Sequence, residues 1–227
     1  MVTEVFYNLV SGLQGQHWRV SKRLSRNSHR EGWRPDDYGM GMLLGLEARG
    51  GNMGTEPVDC PLWFGHSDSK AFQDFCADLD PSMTSFEADR SILTGLERAL
   101  SVSLQALRQI AEHEMDEDEF AGMADEMGLA EDPAEVEQLW HEHTLRQQAR
   151  WQAPETLARA VREMLHGIDA APGLIEQLTE SDATDDWHLG HRRYYTEGGL
   201  QQDLRDLQNM LAWADQQGAD GVRLYVE

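Results

Sequence analysis

The sequence predicts an α+β fold that is predominantly helical, with a small sheet that includes the N-terminal and C-terminal strands. The side chains of residues 5–10 and of residues 222–226 alternate with a period of two, which is the period of a strand. Between these ends, apolar residues recur every three or four positions, as they do on one face of an amphipathic helix. Strands at both ends with helices between them are typical of an α+β domain.

After the first strand, residues 11–67 form an irregular, Gly-rich part of the chain. Glycines and prolines recur there, and the apolar residues show no helical periodicity. Two apolar runs, Met40–Leu46 and Pro61–Phe64, nevertheless predict short strands. The first helix is expected near Ser69–Leu79.

A helical part follows and is expected to cover residues 69–218. Its clearest signal is a series of leucines that ends with Ile110, in which the apolar positions are three or four residues apart. Such a series gives one apolar stripe on one helix. The spacing therefore predicts a single long helix from about Ser85 to Glu114.

The four later helices have recognisable boundaries. A glycine often ends a helix because it readily takes the left-handed conformation, and a proline is favoured in the first turn. The boundary residues are Gly128, Pro133, Pro154 and Gly218. A closing strand over residues 221–226 then completes what we expect to be a single domain of residues 1–227.

The composition excludes several classes of protein. The 227 residues carry 41 acidic and 19 basic side chains, a formal charge of −22, so general nucleic-acid binding is not expected. No apolar run approaches the ~20 residues of a membrane helix, and the first residues lack the features of a signal peptide. Cys60 and Cys76 are too few for a disulfide framework. We therefore expect a cytoplasmic protein without a membrane segment.

Acidic and basic side chains are segregated along the chain. Residues 5–30 contain five bases and no acid, whereas residues 109–145 contain thirteen acids and no Lys or Arg. These segments either attract each other or lie solvated on different faces, or the acidic one is a docking surface for a basic partner. The carboxylates that open the acidic segment are the predicted binding residues: Glu112, Glu114, Asp116, Glu117, Asp118 and Glu119.

The first functional hypothesis is a non-enzymatic binding protein that docks or inhibits a basic protein through acidic helices around residues 112–142. Immunity proteins and proteins that imitate nucleic acid are of this type. Carboxylates have the charge sign and the acceptor oxygens of phosphate, so an acidic helix can occupy a phosphate-binding cleft. The sequence leaves the partner's identity and the oligomeric state open.

The alternative hypothesis is a small hydrolase or transferase with an anion or metal site around residues 187–195. Histidine exchanges protons near neutral pH, so His188 and His191 are candidate general acids or bases, with Arg192 as a third catalytic residue. Arg192 and Arg193, which precede a helix N-terminus, are candidate anion-binding residues. A connecting loop whose arginines pair with local acids is the simpler interpretation of the same segment.

No cofactor is expected, although one residue pair has the spacing of a metal site. Glu163 and His166 are three residues apart on a predicted helix, as in the carboxylate sites of helical bundles. Such sites need a second pair, which the sequence lacks, so a divalent metal is only the alternative. Cys60, His66 and Cys76 do not have the close spacing of structural zinc ligands.

Overall fold

The computed structural model describes residues 44–64, 69–77, 91–111, 116–126, 128, 133–179 and 194–226. The chain divides into two units, residues 1–41 and 42–227, and every described residue belongs to the second. The strand predicted over residues 5–10 lies outside the described residues. The single domain of residues 1–227 therefore stays a prediction.

A four-stranded mixed sheet confirms the α+β class. Its strands are β1 (Leu44–Arg49), β2 (Val58–Asp59), β3 (Ile110–Ala111) and β4 (Gly221–Val226), in the order β2-β1-β4-β3. Strand β4 is antiparallel to β1 over six residue pairs, and β3 is parallel to β4. The closing strand is confirmed, as is a strand at the end of the run Met40–Leu46. The strand predicted at Pro61–Phe64 is wrong, because the residues that pair with β1 are those of β2.

The described part of the chain forms seven α-helices. They are α1 (Ser69–Cys76), α2 (Ile92–Leu100), α3 (Glu117–Glu126), α4 (Pro133–Ala149), α5 (Pro154–Ala170), α6 (Leu174–Leu178) and α7 (Gly199–Gln216). The main core forms between α5, α7 and the apolar side chains of β1 and β4, including Leu46, Val161 and Leu224. Among the described residues, no helix is both long and apolar enough to cross a bilayer.

The single long helix predicted from Ser85 to Glu114 is wrong. Helix α2 ends at Ser101, which takes the left-handed conformation with φ of 55°. The Glu97 carboxylate then accepts a hydrogen bond of 2.6 Å from the backbone N–H of Leu104, and a 3₁₀ turn over Gln105–Arg108 follows. Serine side chains favour turns because they compete for backbone hydrogen bonds. Leu104 and Leu107 are nevertheless fully buried. The apolar positions that predicted one helix therefore belong to α2 and to the turn that follows it.

The second face of the sheet carries charged side chains. The Nε–H of Arg223 on β4 donates a hydrogen bond of 2.6 Å to Glu47 on β1, directly opposite in the register. Both side chains are more than nine-tenths buried. The indole of Trp151 lies against the guanidinium groups of Arg223 and Arg49, at 4.8 Å and 4.3 Å from the ring centroid. Each buried charge contacts an opposite charge, which offsets much of the free-energy cost of removing both from water.

Candidate functional site

The predicted acidic segment contains a capped helix. The backbone N–H of Glu119 donates to the Asp116 carboxylate at 2.8 Å, and the N–H of Asp116 donates to the Glu119 carboxylate at 3.2 Å. These reciprocal hydrogen bonds are a capping box at the start of α3. Two of the predicted binding residues therefore hold the helix terminus, where negative charge also favours the helix dipole.

Helices α3 and α4, which we call the acidic hairpin, share a small core of their own. Phe120 is fully buried, and its ring centroid lies 5.4 Å from that of Trp140 and 5.3 Å from that of His143. The rings of Trp140 and His143 are stacked at 19°. Phe120 and Ala124 are buried but do not belong to the main core cluster. The hairpin is thus held together by its own aromatic contacts.

The outer surface of the acidic hairpin carries exposed carboxylates. They belong to Glu117, Asp118, Asp125, Glu126 and Glu137. Within the described part of the chain, none of the five takes part in an ion pair. Of the other predicted binding residues, Glu112 and Glu114 lie outside the described residues. The structure therefore leaves Glu117 and Asp118, in the first turn of α3, as the predicted residues that face solvent without a side-chain hydrogen bond or ion pair among the described residues.

The predicted catalytic residues His188 and His191 lie outside the described residues, as do Arg192 and Arg193. Tyr194 is the next residue that the structure describes. Its phenol donates a hydrogen bond of 2.8 Å to the carboxylate of Asp203 on α7. Both side chains are buried, and burial followed by the nearby Asp203 charge raises the pKa of Tyr194 well above its usual range. This hydrogen bond ties the chain before α7 to the helix itself. Sequence reasoning missed Asp203 because a single acid on an apolar helix face leaves no pattern.

The predicted metal pair lies on α5, with both side chains exposed. Glu163 and His166 are one turn apart, as expected for a helix. Among the described residues, no group of three His, Cys, Asp or Glu side chains is placed to hold a metal ion. Glu163 instead lines a cavity together with Arg159 and Thr156, and His166 does not reach it.

Both cysteines are free thiols. Burial raises the pKa of the partly exposed Cys60 to about 11, and the neighbouring Asp59 charge adds to the effect. Cys76 is fully buried, and its burial, with Asp203 nearby, raises its pKa well above the usual range. Because the thiolate is the nucleophile, neither residue is activated for covalent catalysis.

We expect Cys60 in the folded protein to react slowly with iodoacetamide at pH 8. With a pKa of about 11, about one thiol in a thousand is ionised there, and the rate should rise about tenfold per pH unit up to pH 10. Mass spectrometry of the alkylated peptide measures this rate. The urea-unfolded chain is the control and should react much faster at pH 8, because unfolding removes the burial. Equal rates for folded and unfolded protein would contradict the raised pKa.

The comparisons with known proteins return no relative. No protein-family model, no curated protein and no solved structure matches this chain. Its function is therefore inferred from its own residues and their geometry.

Proposed function

We propose that this chain is a non-enzymatic acidic binding protein that docks or inhibits a basic protein partner through the acidic hairpin. The observation that carries the proposal is the set of exposed hairpin carboxylates without ion pairs, on an element with its own small aromatic core. The free thiols of Cys60 and Cys76 agree with a cytoplasmic location.

Electrostatics explains why a hairpin of this kind would favour a basic partner. No Lys or Arg interrupts residues 109–145, and Arg146 in the last turn of α4 is the one Lys or Arg within the hairpin, so its net charge is strongly negative. A field of one sign speeds the encounter with an oppositely charged surface and disfavours wrong partners. Partners of this type include toxins or enzymes whose clefts bind phosphate, since carboxylates can occupy the same positions.

The test compares two variants with the same loss of charge. The hairpin variant carries Glu117→Gln, Asp118→Asn and Glu137→Gln, and leaves the capping box intact. The control variant carries Asp169→Asn, Glu176→Gln and Asp215→Asn, which are exposed positions on α5, α6 and α7. Each immobilised protein is exposed to an extract of its source cells, and the basic proteins retained are quantified by mass spectrometry.

We expect the wild type and the control variant to retain the same basic protein, and the hairpin variant to lose it. The association rate of the purified pair should fall about tenfold or more at low salt in the hairpin variant. The difference should shrink as salt screens the charges. Equal losses in both variants would show that only the net charge matters, and retention of no basic protein would also contradict the proposal.

A further inference from the structure

A polar cavity of about 410 Å³ has no lining residue in the acidic hairpin. One wall is the connection that contains the 3₁₀ turn Gln105–Arg108, and the other is the first half of α5 with the residues before it. The buried side chains of Ala106 and Ala160 form an apolar floor. This volume is within the range of small-molecule sites.

Contacts between the two walls and behind them hold the cavity in place. The side-chain amide of Gln152 donates a hydrogen bond of 2.9 Å to the carbonyl of Ala106, which joins the two walls. The backbone of Gln152 also pairs with Val222 of β4 through two hydrogen bonds of 2.9 Å. Arg108, in the same turn, is bound to Glu97 at 2.7 Å. The cavity is thus built on packed elements, which position side chains precisely.

Most of the polar side chains in this cavity have unused hydrogen-bonding capacity. Besides Gln152, the polar lining consists of Ser103, Gln105, Gln109, Thr156, Arg159 and Glu163. Within the described residues, none of these six makes a side-chain hydrogen bond or an ion pair. Amides and hydroxyls from both walls therefore offer donors and acceptors to one cleft that is open to solvent.

The two charged residues of the cavity do not form an ion pair with each other. Arg159 and Glu163 are four residues apart on α5 and do not pair, in keeping with the less favourable order of an arginine before a glutamate. By contrast, Arg162 on the same helix contacts Glu155 at 2.6 Å outside the cavity. In a chain of −22, the cavity presents one positive and one negative group, so its lining is locally neutral.

We propose that this cavity binds a small zwitterion, an α-amino acid with a polar side chain. The ligand carboxylate accepts hydrogen bonds from the guanidinium of Arg159, and the ligand ammonium donates to the carboxylate of Glu163. The amides of Gln105 and Gln109 receive the polar side chain. This site is independent of the acidic hairpin and of its partner.

The test is a titration of the ¹⁵N-labelled full chain with L-glutamine, whose side-chain amide matches the amide lining. We expect backbone amide shifts confined to residues 103–109 and 152–163. Arg159→Gln and Glu163→Gln should each weaken binding about tenfold or more, since each removes a charged hydrogen-bond partner. The matched controls on the same helix, Glu155→Gln and Arg162→Gln, should leave the affinity unchanged. All four side chains are exposed, so folding should be preserved.

Two modified ligands separate the roles of the charged residues. The α-amide of L-glutamine lacks the carboxylate, and N-acetyl-L-glutamine lacks the ammonium group. Each should bind the wild type more weakly than L-glutamine does, and Arg159→Gln should not weaken the α-amide further. The proposal is overturned if millimolar L-glutamine leaves these amides unshifted, if both modified ligands bind as well as L-glutamine, or if the control variants lose affinity equally.

Discussion

Replacing Arg223 by Met is expected to lower the free energy of unfolding by about 3–5 kcal/mol. The variant keeps an unbranched apolar stem but removes the charge that Arg223 presents to the buried carboxylate of Glu47. Only 7% of the Glu47 side chain is exposed, so water cannot replace the lost partner. Urea unfolding followed by circular dichroism measures the difference.

Two controls identify the cause of this loss. Arg49→Met removes the other guanidinium that contacts Trp151 and should cost only about 1 kcal/mol or less. The double variant Glu47→Leu with Arg223→Met removes both charges and should recover much of the stability, because an apolar pair has no buried charge. An Arg223→Met protein within about 1 kcal/mol of the wild type would show that the pair contributes little.

Replacing Gly51 by Ala is the second substitution with a large expected effect, a loss of about 3 kcal/mol. Gly51 has φ of +55°, and an added Cβ would lie 2.2 Å from the carbonyl oxygen of Gly218 and 2.5 Å from that of Gln217. Both are backbone atoms at the end of α7, which cannot rotate aside. At the same contact, the backbone N–H of Asn52 donates a hydrogen bond of 2.9 Å to the carbonyl of Gln217. This hydrogen bond should be disrupted as well.

Gly54→Ala is the matched control for Gly51→Ala. Gly54 also has a positive φ, of +82°, but an added Cβ would have no atom within 4 Å. This variant should lose less, about 1–2 kcal/mol, because φ of 82° with ψ of −160° is a conformation that glycine adopts almost alone. Thermal unfolding of both variants separates the close approach from the backbone strain. Equal losses would mean that the contact with the end of α7 adds nothing.

The sequence predicted those elements whose signals are local. Helix α5 begins at Pro154 as expected, and Leu157, Val161 and Met164 are fully buried on its inner face. Helix α7 likewise ends just before Gly218, which has φ of +70°. A proline, a glycine and a period of 3.6 residues act within a few turns, so no knowledge of the rest of the fold is needed.

The errors occurred where particular side-chain and strand-pairing contacts, and not periodicity, decide the structure. The apolar spacing continues through Ser101, but the hydrogen bond from Leu104 to Glu97 and the contact of Arg108 with the same side chain favour a turn. Strand β2 is only two residues long and is defined by its pairing with β1, so composition could not locate it. Neither the contacts of Glu97 nor the pairing of β2 changes the apolar spacing, so periodicity does not reveal them.

Of the two candidate sites, the sequence predicted the acidic segment but not the polar cavity. The acidic segment could be predicted because charge segregation is a property of composition, but the capping role of Asp116 and Glu119 appeared only in the structure. The polar cavity joins residues 103–109 to residues 152–163, which are far apart in the chain. For Glu163 the sequence suggested a metal ligand, and its neighbour Arg159 gave no signal.

The position of β4 in the sheet has a consequence for the order of folding during synthesis. Strand β4 lies between β1 and β3, so neither can complete its pairing until residues 221–226 have left the ribosome. Strand β1 is made about 170 residues earlier and lacks this partner until then. Such exposed strands are where aggregation begins. The nascent chain is therefore expected to depend on chaperones until β4 is made.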